Sequence, residues 1–291
     1  MIAPSLLTRG WDLRGRLFQV ALLLSLLLTL GILFALIADV ILRALPVFEQ
    51  RGTEFLGAPL SSNAARAGVV QGLLGSGLLA LLVAAVAFPL GIATAIYLEE
   101  YAGTGRFARF VQINIRNLAG VPSVVYGLLG LAIFVPLLGR NALSGGATLA
   151  VLVLPIVVIT ASEALRSVPT SLREAGYGVG ASPWEVTSRL VLPAAAPGIL
   201  TGTVLALARA LGETAPLIVA GAVLGSFSGT NLAKMVTGNY TALPVVIYDW
   251  SRRPQEAFRA DAAAGIVVLL VAVLAVNAAA IVLRARFERN R

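Results

Sequence analysis

Apolar residues gather in six long runs along the chain, and charged residues collect between the runs instead of alternating within them. The runs cover about residues 17–42, 69–98, 117–138, 147–165, 198–224 and 262–283. Roughly 20 consecutive apolar residues cross the hydrocarbon core as an α-helix, which satisfies its own backbone where no water can. The pattern therefore predicts an all-α integral membrane protein of six transmembrane helices, organised as one domain over residues 1–291. The first run exceeds the roughly 7–15 apolar residues of a signal-peptide core and predicts a retained helix. The second carries Gly72, Gly75 and Gly77, a small-residue face suited to close helix contact, and stops at Glu99 and Glu100. Arg106, Arg109 and Arg116 then recur at helical spacing, predicting an amphipathic lead-in at the membrane surface. The third run contains GVPSVVYGLLG, where Pro122 removes a backbone hydrogen bond and predicts a kink.

One polar interruption, residues 167–197 between the fourth and fifth runs, has internal punctuation of its own. Ser171 followed by Glu174 has the pattern of a capping box, and Ser182, Pro183 and Glu185 repeat it with proline at the first helical position. Gly176, Gly178 and Gly180 lie between the two helix starts and allow a sharp turn, while Pro193 and Pro197 predict the end of the second helix. Together with Trp184, which reads as buried, these signals predict two short angled helices forming a preformed docking knob.

Composition supports the membrane assignment: 58% of residues are hydrophobic, 12% are charged and the mean hydropathy is +0.90. With no cysteine and no histidine, disulfides, thiol nucleophiles, imidazole bases and the usual zinc and copper sites are excluded. The single lysine, Lys234, follows alanine, so the chain lacks a GxxxxGK[ST] phosphate loop; no cofactor is expected on it. The net charge of +8 resides largely in arginines. Arg9, Arg14 and Arg16 precede the first run and Arg284, Arg286, Arg289 and Arg291 follow the last, which places both termini in the cytoplasm and requires an even number of spans. Residues 167–197 then face the cytoplasm, and residues 225–261, with Tyr240, Tyr248 and Trp250, face outside.

Candidate chemistry sits in the fifth run, LALARALGETAPLIV, where Arg209 and Glu213 lie four residues apart near its middle. Charges at such depth cost a few kcal/mol each on insertion scales, roughly 2.5–3.5, so an intramembrane pair marks a functional site by default. Pro216 frees the carbonyl of Gly212 between them and opens irregular backbone that must line protein or a wet cavity. An arginine there can hold an oxyanion through its fork of donors; the competing reading is a structural ion pair that locks helices or subunits together. Thr214 belongs to the same stretch, and Ser123 and Tyr126 of the third run could offer hydroxyls to a passing solute or merely pack.

Glu174-Ala175-Gly176, then Gly180, then nine residues to Leu190-Val191-Leu192-Pro193, resembles the EAA loop of bacterial ABC-importer permeases. Gly176 stands for the second alanine and Leu190 for isoleucine. GIATAIYLEEYA, GVPSVVYGLLG, ALARALGETAPL and TALPVVIYDW extend the resemblance to the phosphate-importer permeases, many of which carry an arginine where this chain has Thr160. The resemblance implies a MetI-like type I importer fold in the bacterial inner membrane, and a transport subunit that is not itself an enzyme. It implies a second permease as heterodimer partner, a dimer of ATP-binding subunits carrying ATP and magnesium, an extracytoplasmic phosphate-binding protein, and phosphate as cargo. Ser171, Glu174, Ala175, Gly176, Gly180, Trp184, Leu190 and Pro193 would couple to the ATPase; Arg209, Glu213, Thr214, Ser123 and Tyr126 would line the pathway. A permease for molybdate or sulfate and a proton-coupled secondary transporter using Glu213 are the alternatives.

Overall fold

The computed structural model describes residues 13–103, 105–222 and 232–289, and all regular structure among them is helical. Helix α1 (Leu13–Arg51) runs past the end of its apolar stretch: it carries Pro46 within it, Arg43 pairs with Asp39 one turn back, and the backbone turns only at Gly52, φ +48°. Helix α2 (Val70–Tyr101) ends in a wide π turn over Tyr97–Tyr101. Next come α3 (Arg106–Ala119) and α4 (Ser123–Leu138), joined at a 105° bend. After α5 (Ala142–Arg166) and the short α6 (Thr170–Gly178), α7 (Pro183–Gly212) and the five-residue α8 (Ala215–Val219) form the fifth region. Helices α9 (Leu243–Arg252) and α10 (Glu256–Arg289) complete the described chain. Helices α1, α2, α5, α7 and α10 are each long and apolar enough to cross a membrane, and the bent pair α3–α4 makes a sixth crossing if taken as one.

Several boundaries depart from the sequence pattern for identifiable reasons. At Pro122 the helix does not kink; it breaks. Proline also expels the residue before it from helical geometry, so the chain turns through Gly120–Pro122 and the third crossing restarts at Ser123. Pro193 and Pro197 do not end a helix either. The π turn Thr187–Val191 sends the amide of Leu192 five residues back to the carbonyl of Thr187, which widens the helix where the Pro193 ring must fit, and α7 continues as one rod to Gly212. The helix that carries the fifth crossing thus runs from Pro183 to Gly212 instead of over 198–224; residues 223 and 224 lie outside the described chain.

Of the two expected capping boxes, one forms. Ser182 Oγ accepts from the amide of Glu185 at 3.4 Å while the Glu185 carboxylate accepts from the amide of Ser182 at 2.9 Å. Ser171 caps nothing, because α6 already starts at Thr170 behind the extended Pro169, leaving Ser171 and Glu174 within the helix. The core centres on α2, α5 and α7, where Val83, Ala87, Leu149, Val153, Val157 and Ala206 interlock. Phe55, Trp250 and Phe258 hold a second cluster where α1, α9 and α10 meet. Of the small-residue face expected on α2, Gly72 lets Leu243 approach, Gly75 is buried, and Gly77 faces outward with nothing near it. A third cluster, with Leu98, Ala108, Leu165, Val186 and Val191, packs α6 and the start of α7 beneath α2, α3 and α5.

Candidate translocation site and coupling element

Arg209 occupies the last turn of α7, and Glu213 is the first residue beyond it, extended at φ −77° and ψ 128°. The pair therefore sits at the end of a helix, not in the middle of one as its spacing suggested. Arg209 Nε lies 3.5 Å from Glu213 Oε1, with the arginine side chain 48% exposed and the glutamate 16%. A positive side chain at a helix C-terminus is favoured by the partial negative charge of the terminal carbonyls. Glu213 and Thr214 together form the irregular link to α8, and Pro216 stands in the first turn of α8, where its missing N–H costs no bond. Arg209 shares an outward row on α7 with Leu205 and Thr201, each four residues apart, and this row faces away from the buried seam against α5.

Helix α4 closes the inner side of this break. A Cβ on Gly127 would come within 2.8 Å of Pro216 Cα, so the glycine is what allows α4 and α8 to touch. Tyr126 packs in the same core cluster as Ala206, Ala210 and Leu217, within electrostatic reach of Arg209. Its hydroxyl, however, donates to the Leu118 carbonyl at 2.8 Å, back across the bend to α3. Tyr126 thus braces the broken span, and Ser123 stands half-buried in the first turn of α4. Tyr126→Phe should therefore lower the melting temperature of the purified protein modestly, the loss of one bond worth about 1 kcal/mol, and leave the Michaelis constant for transport unchanged.

Thr160 does not point toward Arg209. It packs on Gly202, where an added Cβ would overlap its hydroxyl, and that hydroxyl donates to its own helix at Ile156, 2.9 Å away. The Thr160 side chain is spent on bringing α5 and α7 together.

At the other end of α7 the polar interruption is an ordered element. Helix α6 turns at Gly180, whose φ of +83° strains any other residue, and folds back on the start of α7. Gly176 is buried at the contact: a Cβ there would meet Leu190 Cδ1 at 2.8 Å and Val186 Cγ2 at 2.9 Å. Leu190 and Pro193 are half-buried behind this contact, whereas Glu174 and Ala175 face outward. Trp184, expected to be buried, is 64% exposed, beside Val179 at 86% and Tyr177 at 48%. Nothing among the described residues covers it, because the Ser182–Glu185 box fixes the helix start with that ring outward. An exposed aromatic and aliphatic patch on a capped, rigid turn is the form of a docking surface.

Two ion pairs that sequence reasoning did not connect tie this element to α2. Arg166, the last residue of α5, holds Glu99 with two bonds of 2.7 Å, Nε to Oε2 and Nη2 to Oε1. Arg173 on α6 reaches Glu100 through Nη2 at 2.8 Å and Nε at 3.3 Å. The same guanidinium donates to the carbonyls of Leu165, in the last turn of α5, at 2.9 Å and of Val168, just beyond it, at 2.7 Å. The hydrogen bond to Glu100 raises the Arg173 pKa above its ordinary value against the opposing effect of burial. The residues were visible as span-ending carboxylates and cytoplasmic arginines, but partners about 70 positions apart leave no local signal of pairing.

Residues 87–291, which contain both the helix break at Arg209 and the α6 element, match the model of the binding-protein-dependent transport system inner membrane component family. The chain belongs to this family of importer permeases. Among curated members, it is 38% identical over 226 residues to phosphate transport system permease protein PstA 1 of Mycobacterium tuberculosis, covering 77% of this chain and 73% of that one. It is 36% identical to PstA of Yersinia pestis over 77% of this chain and 75% of that protein, and 32% identical to PstA of Haemophilus influenzae over 90% and 86%. In fold, the permease resembles the inward-facing MetNI methionine ABC transporter, with a TM-score of 0.60 and 17% identity over 75% of this chain and 95% of that one. A bacterial alginate ABC transporter gives a TM-score of 0.59 at 17% identity over 91% and 93%. The MetI-like permease fold implied by the family resemblance is thus the fold observed, and the chain is a multi-pass inner-membrane permease subunit of an ABC transporter.

Proposed function

We propose that the chain forms one half of the membrane channel of an ATP-driven phosphate importer, paired with a second permease, a dimer of ATP-binding subunits and an extracytoplasmic phosphate-binding protein. The observation that carries this reading is the position of Arg209: a half-exposed guanidinium on the outward row of α7, held by Glu213 at a backbone break in the membrane. An arginine fork suits a tetrahedral oxyanion. Glu213 tempers the site so that the anion can leave, since a pathway must bind weakly enough to conduct. Thr214, on the same irregular link, adds a hydroxyl beside the pair, and Ser123 stands at the head of α4. The names of the similar permeases support phosphate as the cargo.

ATP and magnesium bind to the partner, because this chain has no phosphate loop. The patch at Tyr177, Val179 and Trp184, with Glu174 and Ala175 beside it, docks in a groove of the ATPase with both chain termini on the same, cytoplasmic side. Since α7 is one rod from Pro183 to Gly212, closure of the ATPase dimer on α6 moves the Arg209 end of that rod directly, switching the pathway between outward and inward access.

Affinity purification of the chain from membranes should bring down an ATPase, a second permease and a phosphate-binding protein. Proteoliposomes of that complex should take up labelled phosphate when ATP is supplied, with excess molybdate or sulfate failing to compete. Competition by molybdate or sulfate would transfer the assignment to another oxyanion. Uptake that survives ATP depletion and collapses with the proton gradient would replace it with proton-coupled transport through Glu213.

A further inference from the structure

We infer that Glu99 and Glu100, with Arg166 and Arg173, form a two-bolt clamp that transmits movement of the docking element to the second and fourth membrane crossings. The inference rests on the coupling role proposed for α6, and it adds a second route for force besides the α7 rod.

Two adjacent carboxylates leave the end of α2 from a π turn and diverge to different arginines. Glu99 engages the last residue of α5 in a bidentate pair, the geometry in which a guanidinium resists rotation about its partner. Glu100 engages Arg173 on α6 itself, with side-chain exposures of 6% for the carboxylate and 20% for the guanidinium, so water screens this pair little. Because Arg173 also donates to the carbonyls of Leu165 and Val168, one side chain joins three elements: the end of α2, the end of α5 and the docking helix. Between α5 and α6 the chain itself runs only through Ser167, Val168 and Pro169, where Val168 is buried in the same apolar cluster as Ala95 and Leu98 of α2. Apolar contacts in the same region, Leu98 and Leu165 with Val186 and Val191, can slide past one another; four directed charge-assisted bonds cannot shift without breaking. The four residues are positioning residues, acting on transport through the helices they join.

The test uses the complete transporter in proteoliposomes with loaded phosphate-binding protein, measuring ATP hydrolysed and phosphate moved in the same vesicles. Glu100→Gln and Glu99→Gln are each expected to leave the ATPase bound and hydrolysing while phosphate moved per ATP falls about tenfold, within the range that coupling free energies span. The charge-exchanged double variant Glu99→Arg with Arg166→Glu should recover most of the ratio that either single exchange loses. A purely structural role would lower the amount of assembled complex without changing the ratio per complex, and an unchanged ratio in both glutamine variants overturns the clamp. Failure of the wild-type complex to couple ATP to phosphate, or to hold an ATPase at all, would instead overturn the underlying assignment of α6.

Discussion

Arg209→Gln is expected to reduce phosphate uptake roughly thirtyfold while the transporter still assembles, because losing a charge-assisted hydrogen bond to the anion costs about 2 kcal/mol, toward the lower end of its range. The lower end is appropriate here because the guanidinium is 48% exposed and partly screened. Glutamine keeps much of the side-chain length and an amide donor, so α7 still ends at Gly212, but the fork and the charge are gone. The loss should fall first on the concentration dependence, raising the half-saturating phosphate concentration. The partner variant carries the opposite signature. Glu213→Gln leaves Arg209 unneutralised, so phosphate should bind more tightly and leave more slowly, lowering the half-saturating concentration and the maximal rate together. Initial-rate uptake curves for the two variants, normalised to the complex purified, check both. If neither curve moves, the pair is a structural lock and the cargo passes elsewhere.

Gly176→Val should abolish co-purification of the ATPase while the permease itself continues to insert. Even a single added carbon at this position meets Leu190 Cδ1 at 2.8 Å and Val186 Cγ2 at 2.9 Å. Leu190 ends in a flexible methyl that can turn aside, whereas Val186 is β-branched, fully buried and held by the capped start of α7. Overpacking of this kind costs about 1–3 kcal/mol, and the cheapest relief is for α6 to swing away from α7. That movement displaces Tyr177 and Val179 relative to Trp184 and divides the docking patch. Gly176→Ala, which restores the alanine of the EAA pattern, should retain the ATPase in reduced yield, since one rotation of Leu190 accommodates it. Quantifying the ATPase that travels with each variant from detergent-solubilised membranes distinguishes the cases; full retention by the valine variant would mean that the angle between α6 and α7 does not set the dock.

The contrast between Gly176 and Trp184 shows how far local sequence reaches. The turn residues, the Ser182–Glu185 box and the glycine at positive φ all act within a few positions of themselves, so the two-helix element is legible in the residue order alone. Whether Trp184 lies inside or outside depends on what stands opposite it, and nothing among the described residues does. Prolines divide for a related reason. Pro122 and Pro193 look alike in sequence, yet the chain leaves helical geometry ahead of one and widens into a π turn ahead of the other, a difference that the residue order alone does not carry. The Arg209–Glu213 spacing was visible, but the end of the helix beneath it was not, and of the two readings open for Tyr126 the structure shows the packed one, with its hydroxyl bonded across the bend to Leu118.

By itself the amino-acid sequence determined the membrane environment, the helical class, the apolar runs that become the crossings, the two-helix element between the fourth and fifth of them and the charged pair at 209 and 213, since hydropathy, capping and motif spacing are properties of neighbouring residues. Only the tertiary structure decided where α7 begins and ends, which side of it presents Arg209, how Thr160 is used against Gly202, and that Glu99 and Glu100 bolt α2 to α5 and α6. Those outcomes depend on pairs far apart in the chain, whose attraction is realised only once the core has brought their helices to within a hydrogen bond of one another.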